Sequence, residues 1–120
     1  MHPVRPADPQ LIWMVGSSLN RDGAPLSQFE LATGLAGLGY RIEVLSPADG
    51  PLRLKYAAAG IAVRIVPELH CSPAFPAWYE NDVETLRAIL AAGQPGLIFA
   101  STIDNFAVID AARAAGIPTI

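Results

Sequence analysis

Two short polar stretches carry the residue types that hold small polar ligands. One is Gly16-Ser-Ser-Leu-Asn-Arg-Asp-Gly23, the other Ser101-Thr-Ile-Asp-Asn105. Each follows an apolar run and leads into a helix-forming run. At such a junction the backbone N–H groups of the helix start and the macrodipole favour an anion or a polar hydroxyl. Gly23 and Ala24 are small enough for a ligand to approach the backbone closely. Gly16, Ser17, Ser18, Gly23 and Ala24 are therefore candidates on one side of a site, and Ser101, Thr102 and Asn105 on the other. Plainer roles compete: Gly16 and Gly23 can simply turn the chain, and Ser101, Thr102 and Asp104 are ordinary helix-capping types. Arg21 could pair with a phosphate, although a solvated surface arginine is the commoner case.

Several catalytic signatures are missing. Two serines follow Gly16, so there is no G-x-G-x-x-G dinucleotide fingerprint. Neither a G-x-x-x-x-G-K-[ST] phosphate loop nor a G-x-S-x-G nucleophile elbow occurs. His70 beside Cys71 could form a metal or thiolate pair, but no third ligand stands at a recognisable spacing, so a plain loop is favoured and no metal site is expected. Cys71 is the single cysteine, which excludes an intramolecular disulfide and a multi-cysteine zinc site and suits a reducing compartment. Phe75, Trp78 and Tyr79 could offer a platform to a sugar face or lipid tail; local core is the favoured role.

The elements that must position these residues alternate. Residues 11–15, 42–45, 61–66 and 97–100 are apolar runs that read as strands. Helices are expected over 25–38, 51–59, 82–93 and 105–115. Gly39, Gly60, Gly93 and Gly116 end them. In the first helix Leu31, Leu35 and Leu38 recur as a core stripe. Ser27 with Glu30 fits a capping box, with Leu26 and Leu31 as its staple. Asp49 and Asn81 are expected caps for the second and third helices, with Asp82 and Glu84 in the first turn of the third. A long loop is expected over 67–80, and residues 118–120 open a fifth strand. Strands alternating with helices imply a Rossmann-like α/β sandwich of three layers around a parallel sheet. Right-handed crossovers leave the orders 3-2-1-4-5 and 2-1-3-4-5. The first is preferred, because Arg64 marks the third strand as an edge and the fully apolar fourth suits a central place. The ligand crevice then lies between strands one and four, between the two polar stretches.

The chain weighs 12.7 kDa, which is one domain, and 52% apolar against 16% charged residues supplies a real core. Residues 1–10 read as a loose tail without the apolar stretch of a targeting signal, and 11–120 as the domain. A net charge of −3 argues against a nucleic-acid footprint. No apolar run reaches the roughly 20 residues needed to cross a bilayer. A cytoplasmic protein is expected, with peripheral contact at the inner membrane face left open. The apolar run at Ile120 suggests a chain that continues beyond it. An exposed sheet edge there would make a homodimer of the fragment unsurprising.

Four stretches together resemble the N-terminal domain of GT-B glycosyltransferases, especially the retaining family 4-like group. Asp22-Gly-Ala-Pro-Leu-Ser-Gln-Phe-Glu-Leu-Ala32 resembles the small-residue loop opening the first helix. Gly34-Leu-Ala-Gly-Leu-Gly-Tyr-Arg-Ile-Glu-Val-Leu-Ser-Pro47 resembles the family's GLAxxGHEVxVLxP, with Tyr40 where His is usual. Asp49-Gly-Pro-Leu52 with Ala59-Gly-Ile-Ala-Val63 is similar to its second helix and third strand. Ser101-Thr-Ile-Asp-Asn-Phe106 with Ala111-Ala-Arg-Ala-Ala-Gly-Ile-Pro118 is similar to its fourth loop and helix.

The resemblance implies a two-domain enzyme. This domain would bind the acceptor, and a C-terminal domain absent here would bind the nucleotide-sugar donor. Gly16, Gly23 and Ala24 would face the donor phosphates and acceptor; Ser101, Thr102 and Asn105 would face the acceptor. No resident cofactor is implied, catalytic residues beyond Ile120 are unknown, and the isolated domain would be inert. The alternative is a non-catalytic Rossmann-like module binding a nucleotide or sugar phosphate.

Overall fold

The computed structural model describes residues 8–16, 18–21, 23–69, 76–100 and 106–120. Along the chain lie β1 (Asp8–Val15), α1 (Gly23–Gly37), β2 (Arg41–Ser46), α2 (Leu52–Ala58) and β3 (Ala62–Ile65). A 3-10 turn at Pro67–Leu69 leads on to α3 (Pro76–Gly93), β4 (Pro95–Ala100) and α4 (Phe106–Ala115). The strands form one parallel sheet in the order β3-β2-β1-β4. Helices cover both faces, giving the expected Rossmann-like sandwich. At the place expected for a fifth strand there is a single parallel bridge, Ile98 to Thr119. The Ile98 N–H donates to the Pro118 carbonyl at 2.9 Å, and the Ile120 N–H donates to the Ile98 carbonyl at 2.9 Å.

The core is two layers divided by the sheet. Leu11, Trp13 and Val15 of β1 join Leu86 and Leu90 of α3 and Val108, Ala111 and Ala112 of α4. Ile12 and Met14 join Ala32 of α1 and Leu52 and Tyr56 of α2 on the other face. Side chains alternate across a strand, so β1 feeds both layers. On β3, Val63 and Ile65 pack inward while Arg64 is exposed, as the edge assignment requires.

Local expectations depart from this fold in instructive ways. β1 begins at Asp8, inside the stretch read as tail, and Asp8 pairs with Pro95 ahead of a register shift before Ile12. That pairing is made by backbone, which composition does not report. Of the expected leucine stripe of α1 only Leu35 packs against the core. Pro25, Gln28 and Ala32 are buried with Phe29, Leu35 and Ala36 beside them, whereas Leu31 is 39% and Leu38 77% exposed. Leu26 is also exposed, so the staple does not form, and Ser27 and Glu30 lie inside a helix that starts at Gly23. A helix with apolar residues around its whole circumference gives no unique face to periodicity.

α3 starts at Pro76, five residues before the expected cap, and proline suits a first helical position. Trp78 and Tyr79 therefore lie in a helix, not in a loop, and Asn81 is internal, its carbonyl accepting the Thr85 hydroxyl at 3.0 Å. Glu84 pairs with Arg87 instead of serving a first turn. His70, Cys71 and Phe75 lie outside the described residues.

Gly39, Gly60 and Gly116 carry the positive φ of helix-ending glycines. After α3, however, the left-handed residue is Gln94 (φ 48°), whose N–H donates to the Leu90 carbonyl at 2.9 Å. Gly93 serves another purpose: a Cβ there would overlap the six-membered ring of Trp13, which is 2% exposed. We expect Gly93→Ala to cost about 3 kcal/mol, as overpacking against an immobile ring does. Gly34→Ala, in open space on α1, should gain about 0.5–1 kcal/mol. Urea unfolding midpoints at constant m-value check both.

Candidate functional site

A parallel sheet binds ligands beyond the carboxyl ends of its strands, where the crossovers diverge to opposite faces. In the order β3-β2-β1-β4 that point falls between β1 and β4. Val15 is paired with Ala100, so the two strands end level with each other. The small-residue loop leaves β1 here. β4 ends at Ala100 and α4 begins at Phe106, so Ser101, Thr102 and Asn105 belong to the connection that leaves the same end. Those three, and Ser17, lie outside the described residues.

Gly16 is buried, and its N–H donates to the Leu45 carbonyl at 3.1 Å, extending the ladder to β2 by one residue. That donor is spent on the sheet, so donors for a ligand must come from further along the chain. Ser18 is half-buried, and its Oγ accepts the Asn20 N–H at 3.3 Å, a local turn. Gly23 and Ala24 are exposed at the start of α1, and a Cβ on Gly23 would meet nothing within 4 Å. The first N–H groups of a helix have no intrahelical acceptor, and Gly23 and Ala24 stand at those positions. Arg21 is exposed.

Four residues that frame the site escaped the sequence reading. Leu19 is fully buried, and its carbonyl accepts the Leu52 N–H at 2.9 Å. Gly50 permits the approach, since a Cβ there would stand 2.8 Å from both the carbonyl carbon and the oxygen of Leu19. The loop after β1 is thus clamped to the start of α2. Ser46, also buried, closes β2 with a turn: its Oγ donates to the Ala48 carbonyl at 2.7 Å, and its own carbonyl accepts the Val66 N–H at 2.8 Å. Gln28 lies buried in α1 with its amide against Gly16. The signal for Gln28 was present, as one polar residue on the face shared by Pro25, Ala32 and Ala36.

Asp49 does not cap α2, whose N-cap is Pro51 without a side-chain bond. Its carboxylate instead accepts the Gly50 N–H at 2.8 Å and Arg53 Nη1 at 2.9 Å. The Gly50 N–H first, and Arg53 second, hold that carboxyl below its usual range. Beneath the clamp, Tyr56 packs edge-on to Phe29 with ring centroids 4.9 Å apart. Its hydroxyl is buried without a hydrogen-bond partner, and burial pushes its pKa up to about 12. Among the described residues no group of three or more His, Cys, Asp and Glu could hold a metal ion, and no helix is long and apolar enough to cross a membrane.

No family model and no curated protein sequence matches the chain. Solved structures share its fold. A glycosyltransferase from Rickettsia africae ESF-5 superposes with a TM-score of 0.70 at 15% identity, over 91% of this chain and 28% of that one. MurG from Acinetobacter baumannii gives 0.68 at 13% identity, over 91% and 33%. The C-terminal domain of the PF1911 hydrogenase from Pyrococcus furiosus gives 0.61 at 19% identity, over 98% and 94%. The chain spans about a third or less of the two transferase structures it resembles.

Two outcomes follow from the clamp and its floor. Gly50→Ala should cost about 1–3 kcal/mol, because the new methyl meets backbone rather than a movable side chain, read by thermal unfolding. The phenol of Tyr56 has a folded pKa above its unfolded value near 10, so the stability it contributes is complete below pH 10. That stability declines as pH rises from 10 toward about 12. Tyr56→Phe should remove this decline and raise stability at neutral pH by about 1 kcal/mol, since an unpaired buried hydroxyl is lost. Denaturant titrations at pH 7 and in the alkaline range check it.

Proposed function

We propose that this chain is the acceptor-binding half of a glycosyltransferase, which moves a sugar from a nucleotide-sugar donor to an acceptor hydroxyl. The observation that carries the reading is the placement of the 16–24 loop at the switch point between β1 and β4. Fold likeness to transferases over 91% of the chain supports it. The four stretches that resemble the N-terminal half of the family 4-like group add the finer assignment.

On this reading the chemistry is positioning and electrostatics. The leaving diphosphate gathers negative charge as the glycosidic bond to the donor breaks. N–H groups at the start of α1, with Gly23 and Ala24 leaving their backbone uncovered, lie where fixed dipoles lower the energy of that charge. Ser101, Thr102 and Asn105 orient the acceptor hydroxyl toward the donor. The donor is held by a second domain, and transfer takes place in the cleft between the two. The 120-residue chain alone is then inert.

The test separates this from a stand-alone nucleotide or sugar-phosphate module. The chain is titrated with UDP-glucose by calorimetry, and the native polypeptide is weighed in its source cell. Expected are a Kd for the chain weaker than about 1 mM, equivalent to about −4 kcal/mol, and a native mass of about 40 kDa. Micromolar binding by a native chain of 12.7 kDa overturns the transferase reading.

A further inference from the structure

Gln28 is a polar residue in a buried place. It lies in the second turn of α1, 3% exposed, on the face it shares with Pro25 and Ala32. An amide carries two donor hydrogens and an acceptor oxygen, and burying it costs stability unless these are engaged. Its position relative to Gly16 is what sets it apart. A Cβ built on Gly16 would fall 2.6 Å from Gln28 Oε1 and 3.3 Å from both Cδ and Nε2. The amide therefore meets Gly16 through its oxygen edge. From the other side, Gly16 is held by its N–H bond to the Leu45 carbonyl.

Gly16 is the residue at which the chain leaves β1, and Leu19, three residues on, is fixed by Leu52 and Gly50. Height and direction of the loop at the switch point are thus set at two places, one on α2 and one on α1. We infer that Gln28 is a positioning residue for the site: its buried amide seats Gly16 against β2 and thereby sets the backbone of the β1–α1 loop. This rests on the reading that the loop is where the ligand binds. Gly16 and Gln28 act as one unit. A side chain at 16 would overlap the amide oxygen and push the end of Gln28 aside. An apolar side chain at 28 would fill the space and release the grip.

The experiment uses amide hydrogen exchange on the 120-residue chain. Gln28→Met keeps the volume and removes the amide, and far-UV circular dichroism with a urea midpoint checks that it folds. Expected is exchange at the Gly16 N–H faster by about fivefold or more relative to Met14 and Val44, which lie in the same sheet. Gly16→Ala should accelerate the residue-16 N–H likewise. Adding Gln28→Ala to it should slow that exchange again, because the methyl then occupies vacated space. Unchanged Gly16 protection in Gln28→Met, or strictly additive effects in the double variant, overturns the inference.

A second readout addresses the ligand. Millimolar inorganic pyrophosphate should shift the Gly23 and Ala24 amide resonances of the parent, and shift them about fivefold less in Gln28→Met. Equal shifts in both proteins overturn the positioning role. If the parent shows no shift, the ligand reading of the loop fails, and the exchange comparison alone decides whether Gln28 grips Gly16.

Discussion

β1 is hydrogen-bonded on both edges and buried on both faces, and every other element is placed relative to it. Its five consecutive apolar residues, Leu11 to Val15, divide alternately between the two core layers. A strand of this kind cannot slip by one residue without exchanging Leu11, Trp13 and Val15 for Ile12 and Met14 across the sheet. Trp13 makes the constraint sharper, because its ring needs the bare Cα of Gly93 on α3. Register, the seating of α3 and the point at which the 16–24 loop leaves the sheet are therefore one decision.

The architecture was legible in the sequence because it is written in alternation. Apolar runs of strand length separated by helix-forming runs admit few arrangements once crossovers are right-handed. Arg64 identified the edge strand, and the glycines at 39, 60 and 116 identified helix ends. Boundaries were less legible wherever backbone, rather than side chains, did the pairing, as at Asp8 with Pro95. α1 misled for a different reason. Of its leucines at 31, 35 and 38 only Leu35 packs against the core, and the helix turns Ala32 and Ala36 toward the sheet beside it. Close approach of a helix to a sheet rewards small residues, and a stripe of large ones does not reveal that.

The candidate site was legible in its location and much less in its supports. Loops at the ends of strands one and four follow from topology. The residues that hold the first loop do not, because each acts through an unusual contact: Leu19 through its carbonyl, Gly50 through a missing Cβ, Gln28 through a buried amide against a glycine. Gly93 shows the same limit. Its position after a helical run suggested a stop signal, while its function is to leave room for an indole. Fold likeness to two transferases of which the chain spans about a third or less identifies an architecture. The chemistry has to be argued from the loop.

The hydrogen bond from the Leu52 N–H to the Leu19 carbonyl joins a connecting segment to the first residue of a helix. A surface loop ordinarily surrenders conformational freedom when a ligand arrives, and that loss is subtracted from affinity. Here much of the ordering entropy is given up during folding, when Leu19 enters the core. Any ligand that bound beside Leu19 would have less of that freedom left to remove. The same bond ties the start of α2 to the backbone of Leu19, so helix and loop are seated together as the core forms.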